Sequence, residues 1–250
     1  MSATKSSERV FAILEMFERE RRPLSLKELS EYCQIPTSTC HALVHVLLNR
    51  SYLYQTGQRK DLYPTRKLYD IGATILAHDP ILQRILPAME ELRDSIGETV
   101  ILGKRQKDHI IYLQVLESPQ TIRYSASVGD VKPLHSTCIG KTILSVWKPS
   151  EVRQWLNDNP PREVTKSTIT NYALLMSDLD EGKKLGYFTT RGENVPDVTA
   201  VSVPVIINKE LFGLAIAAPT HRMEEKKFRQ AIKSLLEVQE RLKSLGIADG

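Results

Sequence analysis

Residues 36–50 read PTSTCHALVHVLLNR, and the spacing of their apolar side chains predicts an amphipathic helix. The apolar positions recur at intervals of three and four residues: Cys40, Leu43, Val44, Leu47 and Leu48. The opposite side carries polar residues four apart: Thr37, His41 and His45. Pro36 suits the start of the helix, and the three residues after it place hydroxyl groups beside the N-terminus. We therefore expect one face to pack on a core and a polar face to point outward.

Two shorter helices are predicted before this one. The stretch SSERVFAILEMFERER, residues 6–21, has an apolar stripe at helical spacing, can be capped by Ser6 or Ser7, and is stopped by Pro23. The stretch SLKELSEYC, residues 25–33, opens with Ser25 and has Glu28 three residues later, which is the spacing of a capping box. Three helices therefore precede residue 50.

A predicted β-hairpin follows the three helices. The stretch SYLYQTGQRKDLYPT, residues 51–65, has two extended runs around a polar turn with Gly57, and basic residues lie at or just past its tip. This order is typical of a winged helix-turn-helix, in which the third helix enters the major groove and the wing contacts the DNA backbone. We therefore expect residues 1–66 to form a DNA-binding domain. Its candidate DNA contacts are Ser25, Thr37, Ser38, Thr39, His41, His45, Arg59 and Lys60.

Two other interpretations of this segment stay open. The helices and the hairpin could form a purely structural module. His41 and His45, at positions i and i+4, could bind a metal ion. However, Ala42 stands where a zinc protease needs Glu, and no third ligand is evident. We expect no metal site.

The rest of the chain predicts a linker and a second domain. An apolar stripe within residues 67–78 predicts a linker helix that contacts a second copy of the chain, because an amphipathic helix outside a small domain needs a partner. A second helical stripe follows Pro80. β-rich runs begin after Gly97 and include ETVILGKR, TIRYSASV and TAVSVPVII. Helices are expected from about His135 to Trp147, near residues 150–157 and 171–185, and over residues 224–242. Residues 79–250 should therefore form an α+β domain with an antiparallel sheet.

Composition narrows the class of protein. The chain has 250 residues, a net charge of +4 and a pI of about 8.9, a mild basicity that permits nucleic-acid binding without requiring it. Its three cysteines, Cys33, Cys40 and Cys138, form no Cys-x-x-Cys pair, which argues against a zinc cage or a disulfide scaffold. The N-terminus lacks the apolar core of a signal peptide, and no apolar run approaches membrane-spanning length. We expect a soluble cytoplasmic protein with no membrane partner.

The stretch HSTCIGKT, residues 135–142, ends like a phosphate-binding P-loop. A P-loop needs a second glycine five residues before Gly140, and that position is His135, so nucleotide binding is not expected.

Cys138 and His135 could instead be a nucleophile and a base, since a helix N-terminus favours a thiolate. The helical module would have no role in such an enzyme. The sequence also has neither a Gly-x-Ser-x-Gly elbow nor a dinucleotide fingerprint. We expect no catalytic residues and no cofactor.

From about Arg9 to Leu245 the chain resembles the IclR family of transcriptional regulators. The matching phrases are SERVFAILEMF, PLSLKELSEYCQIPTST, TRKLYDIG, GETVILG, VGDVKPLHSTCIGKTIL, LGYFTTRGEN and VSVPVI. The resemblance implies that the C-terminal domain is GAF-like and binds an effector. It also implies a homodimer or homotetramer whose partners are double-stranded operator DNA and a small-molecule effector.

The resemblance also implies where the effector binds. One pocket wall would be the helix that begins near HSTCIGK, whose N-terminal amides favour an anionic group. Gly140 would let this helix pack closely on the sheet, and Lys141 would be a surface or inter-element contact.

The implied pocket residues are Gly129, His135, Thr137, Cys138, Ile139, Thr190, Ala200, Ala217 and Pro219. Family members that bind small hydroxy or keto acids have polar residues at several of these positions. The apolar replacements favour an aromatic or other small carboxylic acid. Alternatively, the pocket is filled by its own side chains and has no effector.

The recognition helix also departs from the family pattern. Family members usually carry a basic residue where this chain has Thr37, an arginine where it has Ala42, and a glycine where it has Gln34. Fewer phosphate contacts would weaken DNA binding and its dependence on salt. An alternative function is therefore a ligand sensor that acts through protein contacts without specific DNA binding.

Overall fold

The computed structural model describes residues 2–244, and the chain divides into two compact units between Asp79 and Pro80. The first unit contains helices α1 (Ser2–Glu20), α2 (Leu26–Tyr32) and α3 (Thr37–Asn49), strands β1 (Leu53–Thr56) and β2 (Asp61–Pro64), and helix α4 (Lys67–Ala77). The two strands pair antiparallel, and Leu24 forms an isolated bridge with Leu62. The winged helix-turn-helix predicted from the sequence is confirmed.

The core of the first unit is made by one side of each of its first three helices. The buried residues include Ile13, Phe17, Leu24, Leu29, Cys40, Val44, Leu47, Leu53 and Leu62. The predicted capping box of α2 is present, because the backbone N–H of Ser25 donates to Glu28 Oε2 at 2.8 Å while that of Glu28 donates to Ser25 Oγ at 3.2 Å. The expected cap of α1 at Ser6 or Ser7 is wrong, since this helix already begins at Ser2.

Helix α4 has an apolar surface that the first unit does not bury. Tyr69 and Ile75 are each 65% exposed, and Ile71 and Leu76 are also exposed. Lys67 ties the start of the helix to the preceding elements, since its ammonium donates to the carbonyl oxygen of Arg50 at 2.8 Å.

The second unit contains a six-stranded antiparallel sheet. Its elements are α5 (Pro80–Ile96), β3 (Thr99–Gln106), β4 (His109–Leu116), β5 (Val131–Pro133), α6 (Cys138–Leu144), α7 (Pro149–Asp158), α8 (Tyr172–Leu185), β6 (Phe188–Arg191), β7 (Val198–Ile207), β8 (Glu210–Pro219) and α9 (Glu225–Ser244). The strand order is β5-β4-β3-β8-β7-β6. This sheet and its flanking helices confirm the predicted α+β class.

Alternating side chains send the two faces of the sheet into two separate cores. Val100, Leu102 and Ile216 pack with residues of α5 and α9 on one face. Ile101, Ala215 and Ala217 pack with residues of α6, α7 and α8 on the other. Because successive strand residues point to opposite faces, neighbouring positions of β3 and β8 belong to different cores.

Two sequence expectations for this unit are wrong. The run TIRYSASV, residues 121–128, is a loop rather than a strand, and side chains bind two of its carbonyl groups. Thr99 Oγ1 donates to Tyr124 O at 2.6 Å, and the guanidinium of Arg222 donates to Ile122 O. The helix expected from about His135 to Trp147 spans only Cys138–Leu144, because Thr137 caps its start and accepts a hydrogen bond from the N–H of Gly140.

Candidate nucleic-acid interface and ligand cavity

The outer face of α3 presents the side chains predicted to contact DNA. Ser38, His41 and His45 are exposed, Thr39 is half-buried, and the apolar stripe on the other side is buried at Cys40, Val44 and Leu47. Ala42 is exposed on the outer side, so the middle of this face carries a methyl group rather than a hydrogen-bonding group.

Several of these polar groups also have structural partners. The hydroxyls of Thr37 and Ser30 lie 3.1 Å apart, and Ser30 Oγ donates to the carbonyl of Ile35 at 2.7 Å, which fastens the turn between α2 and α3. His45 Nδ1 lies 3.1 Å from Asn49 Nδ2. Ser25, also predicted as a DNA contact, uses its side chain to cap α2.

The wing ends in a basic turn. Arg59 and Lys60 are exposed between β1 and β2, and Lys60 adopts a positive φ of 56°. The structure therefore places two cationic side chains at the hairpin tip, in the same unit as the outer face of α3.

A small cavity lies between the first turn of α6 and the sheet. Its lining residues are Ile101, Tyr112, Tyr124, Thr137, Cys138, Ile139, Thr190, Asn194, Val195, Val198, Ala200, Ala215 and Ala217. Strands β7 and β8 supply three alanines, so the floor of the cavity has short side chains. The volume is about 30 Å³, comparable to the share of one water molecule in the liquid.

The polar groups of the cavity are neutral. Thr137, Thr190 and Asn194 contribute hydroxyl and amide groups, and Ser136 Oγ donates to Asn194 Oδ1 at 3.3 Å. Burial raises the pKa of Tyr112 and that of Tyr124, so both hydroxyls stay protonated. A neutral tyrosine hydroxyl keeps its proton and can donate it to an acceptor.

Six of the residues expected at the effector site lie together around this cavity. They are Thr137, Cys138, Ile139, Thr190, Ala200 and Ala217. Three others lie outside its lining. Gly129 is in an exposed turn with a φ of 88°, Pro219 ends β8, and His135 Nε2 donates to the carbonyl of Arg162 at 3.0 Å.

Sequence reasoning did not identify seven of the lining residues. They are Ile101, Tyr112, Tyr124, Asn194, Val195, Val198 and Ala215. Strand alternation could have found Ala215, which is two residues from Ala217 and shares its face. Tyr124 offered no such signal, because its loop was expected to be a strand.

Cys138 is not an activated nucleophile. Burial raises the pKa of its thiol to about 12, which outweighs the nearby backbone N–H groups and Lys141 that lower it. Burial also lowers the pKa of His135, whose ring bonds to Arg162. A neutral thiol lacks the thiolate that cysteine catalysis needs.

Gly140 has a role that differs from the one expected, and Lys141 has one of its two expected roles. A Cβ on Gly140 would overlap the carbonyl group of Leu134, so this glycine admits the preceding backbone rather than the sheet. The sheet approaches α6 through Gly213, where a Cβ would stand 2.7 Å from Ile139 Cγ2. Lys141 is 0% exposed, so the expected surface position is wrong, although the lysine does connect elements.

Lys141 binds two carboxylates inside the second unit. Its Nζ lies 2.7 Å from Asp178 Oδ2 on α8 and 2.7 Å from Glu193 Oε1 after β6. It also donates to the carbonyl of Thr189 at 3.2 Å. The buried ion cluster, as we call Lys141, Asp178 and Glu193, therefore joins three segments of the chain.

No group of three or more His, Cys, Asp or Glu residues in residues 2–244 is arranged to hold a metal ion. None of the helices in this range is both long and apolar enough to cross a membrane.

Comparisons with known proteins give the chain a family. The family model described as bacterial transcriptional regulator IclR C-terminal matches residues 73–243, and the IclR helix-turn-helix model matches residues 6–57. The Escherichia coli K12 HTH-type transcriptional regulator KdgR is 29% identical over 229 residues, which covers 91% of this chain and 87% of KdgR. The E. coli K12 repressor AllR is 25% identical over 223 residues, covering 88% and 82% of the two chains.

Solved structures show the same fold. The crystal structure of the Thermotoga maritima IclR has a TM-score of 0.83 at 24% identity and covers 97% of this chain and 99% of its own. An IclR homologue from Microbacterium hydrocarbonoxydans, solved with 4-hydroxybenzoate, has a TM-score of 0.72 at 21% identity, covering 96% and 99%. The curated relatives are named as regulators, which agrees with the expectation of a non-enzyme, and the helix-turn-helix match favours DNA binding over a sensor without it. With the C-terminal model alone matching more than half of its residues, the chain belongs to the IclR family and is a DNA-binding transcriptional regulator with a C-terminal effector domain.

Proposed function

We propose that this regulator binds its operator through the outer face of α3 and the wing, and that an aromatic or other small carboxylic acid in the cavity modulates that binding. The lining of the cavity supports this class of ligand, because it combines a floor of alanines, two tyrosines and a few neutral polar groups. Small-molecule sites typically have such apolar walls with a few placed hydrogen-bonding groups.

The arrangement of polar groups favours an acid over a hydrocarbon. The hydroxyls of Tyr124 and Thr190 and the amide of Asn194 can donate to a carboxylate, while Ile101 and the alanines contact the rest of the molecule. The Microbacterium homologue with 4-hydroxybenzoate supports this ligand class, since it shares the fold.

Binding of such a molecule requires the cavity to enlarge. Its volume of about 30 Å³ is well below the roughly 300–1,000 Å³ of sites for drug-sized ligands. The effector would therefore stabilise a conformation with displaced walls, and a ligand that binds one of two conformations more tightly shifts their populations. This is how occupancy of the cavity would change the affinity for DNA.

The DNA interface that we propose consists of Ser25, Thr37, Ser38, Thr39, His41, His45, Arg59 and Lys60. Hydroxyl and imidazole groups on α3 would contact base edges and phosphates, and the wing would contact the backbone. The protein would act as a homodimer or homotetramer, with the exposed apolar side chains of α4 as one contact between copies.

The first test is DNA binding by fluorescence anisotropy. Full-length protein is titrated with DNA from upstream of its own gene and with scrambled DNA, at several salt concentrations. We expect the specific site to bind at least about a thousandfold more tightly. Equal affinity for both DNAs at every salt concentration would contradict an operator in that region.

The ligand class is tested by calorimetric titration of the same protein with 4-hydroxybenzoate and with glyoxylate. We expect the aromatic acid to bind more tightly and Tyr124→Phe to weaken it about fivefold or more, because a hydrogen bond to a charged group is lost. Tyr172→Phe is the matched control, since its hydroxyl bonds to Pro149 outside the cavity. Preferential binding of glyoxylate, or equal effects of the two variants, would refute the assignment.

A further inference from the structure

The cavity has fixed walls and adjustable walls. Strands β7 and β8 are held by a continuous antiparallel ladder. Helix α6 is held between the backbone of Leu134, which Gly140 contacts, and the sheet, where Ile139 packs over Gly213. The other lining segments include two loops: Tyr124 lies on the 121–128 loop, and Asn194 and Val195 lie on the 192–197 loop, which connects β6 to β7. Enlargement of the cavity is therefore easiest by displacement of a loop.

Side chains hold the 192–197 loop in place. Thr165 Oγ1 donates to Gly192 O at 2.6 Å, and Thr168 Oγ1 donates to Glu193 O at 2.7 Å. The charged contact is the pair between Lys141 and Glu193 at 2.7 Å. Lys141 belongs to α6, three residues after Cys138, so this contact joins a fixed wall of the cavity to the adjustable one.

The Glu193 carboxylate is incompletely paired when the loop is closed. Its Oε1 accepts from Lys141, but Oε2 is the one buried side-chain nitrogen or oxygen atom within the described residues that has no hydrogen-bond partner. The side chain is only 9% exposed. A buried acceptor without a partner costs free energy that is recovered when the atom reaches water. Opening of the loop would therefore remove the free-energy cost of the unpaired Oε2 atom of Glu193.

Lys141 can release Glu193 because it has a second counter-charge. An isolated buried ammonium is strongly unfavourable, and removal of the partner of a buried ion is destabilising. Asp178 remains 2.7 Å from Lys141 Nζ, and its own side chain is 31% exposed. The cluster thus has two carboxylates for one cation, and only Glu193 sits on the loop that lines the cavity.

We infer that the buried ion cluster is a latch on the effector cavity, in which Glu193 is the positioning residue that holds the 192–197 loop closed and Asp178 keeps Lys141 paired when the loop opens. This inference rests on the proposed function for the identity of the molecule that enters. The latch itself is a property of the ligand-free protein, and it sets how easily the cavity admits a ligand.

The latch predicts opposite effects for two neutralising substitutions. Glu193→Gln keeps the size of the side chain but removes the ionic attraction to Lys141, so the loop should open more often. Asp178→Asn leaves Glu193 as the only carboxylate partner of Lys141, so opening would strand a buried charge and should become rarer. A cluster that only supports the fold would be weakened by both substitutions in the same direction.

The test is hydrogen–deuterium exchange of the full-length protein without ligand, followed by mass spectrometry of peptides that span residues 192–197. We expect Glu193→Gln to speed exchange in this loop at least about fivefold and Asp178→Asn to slow it, with β8 peptides unchanged. Glu98→Gln is the matched control and should leave exchange in the 192–197 loop unchanged, because Glu98 is also a buried carboxylate with two cationic partners but directly precedes β3. Faster exchange in both cluster variants, or no change in either, would overturn the latch.

Alkylation of Cys138 by N-ethylmaleimide gives a second measurement. The buried thiol lines the cavity, so its modification reports opening even if one variant is too unstable for exchange measurements. Glu193→Gln should accelerate its modification and Asp178→Asn should retard it at one fixed pH, and the reverse order would refute the inference. If the variants behave as expected but 4-hydroxybenzoate does not bind, the latch stands and the proposed ligand class fails.

Discussion

At the scale of single residues, the position of α6 depends on glycines that leave no room for a methyl group. Gly140 faces the carbonyl of Leu134, and Gly213 lies under Ile139. A Cβ at either position would force backbone or a buried side chain to move. The position of α6, which forms one wall of the cavity, therefore depends on these two glycines as much as on the packing of larger side chains.

Gly140→Ala should destabilise the second unit. The new methyl group would overlap backbone atoms that cannot rotate away, and overpacking of this kind typically costs about 1–3 kcal/mol. Gly72→Ala is the control, because Gly72 lies in α4 with no atom within 4 Å of a new Cβ and should gain helix stability. Thermal unfolding followed by circular dichroism compares the two, and equal effects would contradict this explanation.

At the scale of elements, α2 depends on an ionised capping residue. Glu28 accepts from the backbone and hydroxyl of Ser25 and pairs with Arg22 at 2.9 Å. These hydrogen bonds, those from Ser25 first, lower the pKa of Glu28 from 4.5 to about 2. Because the folded state binds this proton less tightly than the unfolded state, the stabilisation is present above pH 4.5 and is lost as the pH falls toward 2.

Glu28→Gln should therefore matter less as the solution becomes more acidic. At pH 7 the variant loses the ionic part of the capping box, and its free energy of unfolding should be lower than that of the wild type. The difference should shrink as the pH falls below 4.5, because the unfolded wild type takes up a proton at Glu28 there while the folded carboxylate stays ionised until about pH 2. Urea unfolding at several pH values measures it, and a difference that does not vary with pH would disprove the assignment.

At the scale of the whole molecule, charge at the wing should set the salt dependence of DNA binding. Each phosphate contact contributes about 0.9 to the slope of log affinity against log salt. The double substitution Arg59→Ala and Lys60→Ala should therefore reduce that slope by about 2. The control, Lys166→Ala with Lys226→Ala, removes the same charge from exposed sites of the other unit and should leave the slope unchanged. Equal slopes for both double variants would show that the wing does not contact the DNA.

Local patterns predicted most of the architecture and part of the cavity. The apolar stripe of α3, the Ser25–Glu28 box and the wing turn depend on residues within a few positions of one another, so the sequence reveals them. The family resemblance implied Cys138, Thr190, Ala200 and Ala217 as pocket residues. Those features therefore needed no knowledge of the tertiary structure.

Features that depend on distant partners were missed. The sequence left Lys141 as either a surface residue or a contact between elements, and it could not name the partner, because Glu193 is 52 positions away. Tyr124 was assigned to a strand because its run is rich in residues that favour strands, while the bonds that fix the loop come from Thr99 and Arg222. Burial and side-chain pairing across the sheet are decided by the whole fold, so a local sequence pattern does not predict them.

The separation of the two cores has an evolutionary consequence. The core between the sheet and α5 and α9 holds the large aliphatic cluster, while the alanine floor and the cavity belong to the opposite face. Substitutions at Ala200, Ala215 or Ala217 would therefore reshape the cavity that we propose as the effector site while the other core keeps the domain folded. Selection could retune such a regulator to a new metabolite by altering a few small side chains, without rebuilding its scaffold.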